Sequence, residues 1–182
     1  MIFNQTPLSD TFVIELEKKE DERGFFSRYF CKNEFKQYGL VTEWPQMNVS
    51  YNIKRGTLRG MHFQKYPKDV AKVVRCIKGS IWDVVVDLRK GSKTYGKWFG
   101  KELNDQNRFM MYVPKGFAHG YQTLNDDTEL LYLHSDFYYQ QYDAGINYNC
   151  HSLKIDWPLS INEISKKDLS LPKLSEIDPP FG

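Results

Sequence analysis

Three cysteines in 182 residues, Cys31, Cys76 and Cys150, are too few and too widely spaced for a disulfide framework. No Cys-x-x-Cys pair is present, which removes a thiolate zinc site, so the three are read as reduced packing residues. No segment approaches the roughly 20 apolar residues that span a bilayer. The first residues, MIFNQTPLSD, lack the basic start and apolar run of a secretory leader. A cytoplasmic protein with no membrane partner is expected. Net charge is scarce as well: 25 Lys and Arg against 23 Asp and Glu leave +2. That gives no long-range field of the kind nucleic-acid binding uses, so no nucleic-acid partner is expected and any anion site must be built locally. Long helical periodicity and internal repeats are missing too, which excludes propellers and solenoids.

What is present is a folding composition, 41% hydrophobic and 15% aromatic. A chain of this length buries about 70% of its unfolded surface, enough for one core, and residues 1–182 are expected to form a single domain. Short β-branched and aromatic runs separated by Gly, Pro, Asn and Asp predict an all-β barrel or sandwich. Phe12 to Leu16, Val70 to Ile77, Ile81 to Leu88 and Glu129 to His134 are such runs, the last two expected in different sheets. One short peripheral helix is predicted over Asn33 to Tyr38, with Asn33 as its cap and Gly39 ending it in the left-handed conformation. Beyond Trp157-Pro158 the composition turns to Ser, Lys, Asp and Pro without strand periodicity, so residues 159–182 are expected to be a wrapped C-terminal tail of loop or helical turns.

Chemistry concentrates in Arg59-Gly60-Met61-His62-Phe63-Gln64, with Lys72 following ten residues after the histidine at the head of the next strand. Strand alternation puts Arg59, Met61 and Phe63 on one face and Gly60, His62 and Gln64 on the other. A base and a cation sharing a barrel interior is a setting in which pKa values can be tuned. Taken alone, an interior histidine is more often a satisfied core residue. A second stretch, Pro114-Lys115-Gly116-Phe117-Ala118-His119-Gly120, has the Pro-x-Gly-x-x-His spacing of the second cupin motif, where the histidine binds metal. The first cupin motif, however, needs His-x-His and then Glu, and this chain has His62-Phe63-Gln64. Two histidines at most remain, too few for the usual transition-metal sites. Neither a metal nor another cofactor is expected.

Seven stretches in order, Asp21 to Phe26, Gln46 to Ser50, Leu58 to Gln64, Val86 to Arg89, Pro114 to Gly120, Ile155 to Pro158 and Ser165 to Asp168, together resemble the dTDP-4-dehydrorhamnose 3,5-epimerases of the RmlC type. The resemblance covers roughly residues 8 to 172 and implies an all-β, cupin-like double-stranded β-helix (jelly-roll) barrel with short peripheral helices. It implies His62 as general base with Asp168 holding its tautomer, Lys72 as the cation steadying an enolate, and Tyr132 as the opposed proton donor. Epimerising a carbon beside a ketone removes a proton from one face and returns one to the other, so two separate acid–base groups suit the chemistry. Lys72 supplies the charge that a developing enolate oxygen requires. Substrate contacts are implied for Arg59, Gln46, Asn48, His119 and Lys167, with Tyr138 or a neighbour stacking at the base end. Arg suits a diphosphate through charged, bidentate donors. By the same resemblance Arg23 and Phe26 reach the site of a partner in a homodimer with N-terminal strand exchange. The bland readings make Tyr132 a core aromatic, Asp168 a solvated cap and Gly24 a simple turn.

Several positions depart from the family pattern: Arg28 replaces a Glu, Val70 a Gln, Ala144-Gly145 a Glu-Gly, and Asn149-Cys150 an Asn-Asp. The proposed acid–base set is untouched. The implied substrate is dTDP-4-dehydro-6-deoxy-D-glucose. Other readings are a 3- or 5-epimerase of a different nucleotide-linked 4-keto hexose or heptose, such as a GDP- or CDP-sugar, and a barrel that binds a sugar nucleotide without catalysis.

Overall fold

Runs 72–78 and 80–87 carry apolar residues at consecutive positions, Val73-Val74, Cys76-Ile77 and Val84-Val85-Val86, and a strand of that kind is stable only where both faces are covered. The computed structural model describes residues 1–178, 180 and 181 and supplies that covering. Its strands are β1 (Ile2–Gln5), β2 (Phe12–Glu15), β3 (Lys19–Asp21), β4 (Gly24–Phe26), β5 (Gln46–Asn52), β6 (Thr57–Gln64), β7 (Lys72–Lys78), β8 (Ser80–Asp87), β9 (Trp98–Asn104), β10 (Met110–Val113), β11 (Phe117–Thr123), β12 (Thr128–His134), β13 (Asp143–Gly145) and β14 (Glu163–Ile164). The helices are α1 (Lys32–Gln37) and α2 (Lys166–Leu169).

One sheet runs β1-β2-β10-β7-β12-β5 and the other β13-β6-β11-β8-β9, with β14 added to β6 in parallel. All other pairings in the two sheets are antiparallel. Their inner faces meet in a core that includes Val74, Cys76, Ile81, Val85, Met111 and Leu130. This is a cupin-like jelly-roll barrel. Alternation then turns Val73, Met110, Leu133 and Ile14 of β2 to the outside of the first sheet, where Phe35 of α1 covers them. On the second sheet Val84, Val86 and Ala118 face outward beneath Cys150, Leu153 and Phe181. The runs 81–88 and 129–134 fall in different sheets.

Three local expectations need correction. Helix α1 begins one residue early: the Cys31 carbonyl accepts from Phe35 N–H at 3.0 Å, and no side chain caps the N-terminus. Asn33 therefore sits inside the first turn, although Gly39 does end the helix with φ +69°. The 159–182 segment is not free of strand, because Glu163 and Ile164 pair with Thr57 and Leu58. Its residues Pro179 and Gly182 lie outside the described set.

The third correction matters most for function. Across β6 and β11 His62 faces His119, yet Arg59 faces Tyr121, so three steps on β6 match two on β11. One extra residue on β6 is a β-bulge, and a bulge reverses the alternation beyond it. Arg59 consequently joins His62 and Gln64 on the cavity side, while Met61 and Phe63 pack outside. Two glycines permit the bulge: a Cβ on Gly60 (φ +140°) would lie 2.5 Å from Gly120 Cα.

Candidate active site

The barrel opens at one end into a cavity of about 360 Å³. Inward-facing residues of β5 (Gln46, Asn48, Ser50), β6 (Arg59, His62, Gln64), β11 (His119, Tyr121) and β12 (Tyr132, His134) line it, with Lys72 from β7. Tyr138 and Lys167 stand at its rim. Arg23 and Phe26 do not line this cavity: they occupy the separate β3–β4 hairpin, with Phe26 74% exposed and Arg23 paired to Asp21 at 2.6 Å.

His62 and Asp168 meet although 106 positions apart in the chain, with Nε2 2.7 Å from Oδ1. The tail makes the encounter possible. Ser165 caps α2 by accepting from Asp168 N–H at 3.0 Å, and Gly60 N–H donates to the second carboxylate oxygen at 3.2 Å. Burial pushes the Asp168 carboxyl up, but its bonds with His62, Gly60 and Ser165 outweigh burial and leave it below the usual carboxylate range. An ionised Asp168 keeps the proton on Nε2, so Nδ1 is the lone-pair nitrogen of a ring that lines the cavity.

A second imidazole–carboxylate pair lies deeper. His119 Nε2 is 2.7 Å from Asp83 Oδ1, and both side chains are buried. Burial lowers the His119 pKa against the pull of Asp83, so this ring is neutral. Lys72 is buried beside them, with Nζ donating to His62 O at 3.4 Å. Burial lowers its pKa to about 8, opposed by the negative charges of Asp83 and Asp143. Tyr132 reaches in from the opposite sheet to His62. Its phenol is held well above its usual pKa, first by burial and then by Tyr121 and Asp83, so it keeps its proton at neutral pH.

Polar residues fix the remaining wall. Asn52 Oδ1 accepts from Arg59 Nε at 2.8 Å and from the Tyr121 hydroxyl at 3.1 Å, which orients the guanidinium. Asn48 lies 3.4 Å from His134 Nε2, and Gln46 Oε1 accepts from Tyr138 N–H at 2.9 Å. Lys167 forms an ion pair with Asp143. Of the positions that depart from the family pattern, Val70 lines the cavity, whereas Arg28 pairs with Glu34 at 2.5 Å on α1.

Sequence reading missed Asp83, Tyr121 and His134. Asp83 did leave a signal, as one of two acids, with Asp87, that interrupt the apolar run 81–88. His134 stands two residues after Tyr132 and therefore on the same strand face. Burial, reinforced by Lys72 and His119, lowers its pKa to about 3, so it adds no charge to the cavity.

A jelly-roll barrel with a carboxylate-oriented imidazole on one wall, a protonated phenol on the other and a buried lysine beside them defines the class as an acid–base enzyme. Among the described residues no three His, Cys, Asp or Glu side chains group as metal ligands. The family model described as dTDP-4-dehydrorhamnose 3,5-epimerase matches residues 5–176, and the chain belongs to that family. It is 42% identical over 177 residues to the dTDP-4-dehydrorhamnose 3,5-epimerase of Methanothermobacter thermautotrophicus, covering 96% of this chain and 95% of the relative. The crystal structure of the same enzyme from Elizabethkingia anophelis superposes with a TM-score of 0.94 at 37% identity, covering 97% of each chain. The Legionella pneumophila dTDP-6-deoxy-D-glucose-3,5-epimerase, solved in complex with dTDP-4-keto-L-rhamnose, gives 0.90 at 34% identity, covering 97% of this chain and 94% of that one.

Proposed function

We propose that this chain converts dTDP-4-dehydro-6-deoxy-D-glucose to dTDP-4-dehydro-L-rhamnose by inverting C3 and C5, each next to the C4 ketone. His62 Nδ1 takes the proton from the carbon. The electron pair moves into an enolate whose oxygen the Lys72 ammonium stabilises. Tyr132 returns a proton to the opposite face, and solvent resets both groups. Neutral His119, whose Nε2–H donates to Asp83, offers Nδ1 as an acceptor for a sugar hydroxyl, while Arg59 and Lys167 serve the diphosphate. The observation that carries this reading is the placement of His62 and Tyr132 on opposite sheets across one cavity.

The reading treats residues 1–182 as one catalytic unit in the cytoplasm, with three free thiols, and with the tail supplying Asp168. Among the described residues no helix is long and apolar enough to cross a membrane. It also includes a homodimer in which N-terminal strands exchange and the partner's cavity receives Arg23 and Phe26. Supporting this, the β3–β4 hairpin pairs with neither main sheet, and edge strand β5 exposes Met47, Val49 and Tyr51 as an apolar stripe that a second copy would cover.

The decisive test is incubation with dTDP-4-keto-6-deoxyglucose in D₂O, following deuterium entry by NMR, with His62→Ala as the control. Wash-in at C3 and C5 that vanishes in the control is expected. Entry at one carbon makes the chain a single-centre epimerase, and no entry refutes this substrate.

A further inference from the structure

One buried group in the cavity wall has no part in the acid–base chemistry. Gln64 ends β6, is 6% exposed, and occupies the place of the second histidine in a metal-binding cupin motif. Its carboxamide is spent on main chain. Nε2 donates to Lys68 O at 2.8 Å and Phe137 O at 3.1 Å, and Oε1 accepts from Tyr139 N–H at 2.6 Å. A side-chain amide has two donors and an acceptor oxygen, and all three functions are used here.

Two of those bonds bracket Tyr138. The residue before it gives its carbonyl and the residue after it gives its N–H, so Gln64 fixes the peptide planes on both sides of a ring that is 56% exposed at the cavity rim. The Lys68 carbonyl ties the same amide to the loop leading into β7. Lys68 joins the two segments again through Asp136 and the Tyr139 hydroxyl, at 3.3 and 3.2 Å, but that link is part-exposed and so is worth less than a buried one.

We propose that Gln64 is a positioning residue that presets the Tyr138 segment as the platform for the nucleotide end of the substrate. This rests on the sugar-nucleotide reading above. Ordering a loop when ligand arrives subtracts from affinity, and a loop already clamped avoids that loss. The benefit is uniform across ground and transition states, so it belongs in KM and not in kcat.

Gln64→Leu is expected to raise KM and the dTDP dissociation constant about tenfold, with kcat within about threefold of wild type. Amide exchange at Tyr139 is expected to quicken in the same variant. The double variant Gln64→Leu/Tyr138→Ala should bind dTDP no worse than Tyr138→Ala, because Gln64 acts through that ring. Gln64→Glu guards against a folding failure: its carboxylate repels the Lys68 and Phe137 carbonyls, and protonation restores a donor. Its dTDP affinity relative to wild type should therefore recover as pH falls. Unchanged binding in both Gln64 variants, or an unchanged KM with a collapsed kcat, overturns the proposal. Where Tyr138→Ala is also silent, the nucleotide lies elsewhere. Where Tyr138→Ala weakens binding and Gln64→Leu does not, Gln64 alone loses its role.

Discussion

The two imidazole–carboxylate pairs share a 2.7 Å contact through Nε2 and differ in almost everything around it. His62 is 34% exposed and its Asp168 holds a second partner in Gly60 N–H, whereas His119 is 4% exposed and its Asp83 leaves Oδ2 buried with no bond. A proton-transfer group needs access to substrate and solvent. A fully enclosed neutral ring is better suited to accepting one hydrogen bond. In the proposed function the same chemical pair serves turnover on β6 and binding on β11. Asp83 has a further consequence, since its negative charge opposes the burial that lowers the Lys72 pKa.

The sharpest way to break this contrast is to delete each ring. His62→Ala should lower kcat on the order of 10³-fold and abolish deuterium wash-in, as expected for loss of a general base. His119→Ala should leave wash-in detectable and raise KM about tenfold, the size of one hydrogen bond. Equal silence from the two variants would erase the division of labour.

Exchanging the carboxylates probes the same division more gently. Asp168→Asn keeps the shape but no longer enforces the Nε2 proton, and kcat should fall about 10²-fold in steady-state assays. In Asp83→Asn the visible change should be in pH dependence. In the proposed mechanism Lys72 stabilises the enolate only when charged, so kcat/KM, which reports the free enzyme, should decline as pH rises through about 8. Removing Asp83 takes away the largest charge holding that ammonium, and the basic limb should move to lower pH. Lys72→Met should lose the limb together with most of the activity. Stability runs in the opposite sense. Folded Lys72 releases its proton near 8 and unfolded Lys near 10.5, so the unfolded chain binds more protons between those values and wild-type stability rises with pH across that window. A pH series of urea melts of wild type against Lys72→Met would show the difference.

Much of this site could be read from the chain because it lies on strands. His62, Gln64 and Lys72 follow from period-two alternation, the last of the ordered motifs contains Asp168, and Tyr132 was pointed to only by position through the family resemblance. What alternation could not give was Arg59, since one extra residue at Gly60-Met61 reverses the count and the sequence there marks only a glycine. Asp83 and His134 were hidden by composition, each looking like an end or interruption of an apolar run. An all-β barrel or sandwich was legible as short runs with turn residues between them, and the jelly roll through the family resemblance, while the pairing of Glu163-Ile164 with β6 was not. Two residues carry no periodicity, and only the position of Asp168 behind His62 requires the tail to run there.

Helix caps give the smallest and most local test of the contrast between a group that positions catalysis and one that does not. Asn33 and Ser165 are both favourable cap types near the start of a short helix, yet only Ser165 takes the cap position. Asn33→Ala should change stability by no more than about 0.5 kcal/mol, the range of an ordinary surface substitution. Ser165→Ala should cost about 1 kcal/mol as the loss of a cap. It should also reduce kcat several-fold, because the N–H that Ser165 accepts belongs to Asp168 and its release lets the carboxylate drift from Nε2. Thermal melts beside steady-state kinetics on the two variants separate these effects. A Ser165→Ala enzyme that is less stable but fully active would mean that Gly60 N–H alone fixes Asp168, and the tail would then matter for His62 only through its covering of β6.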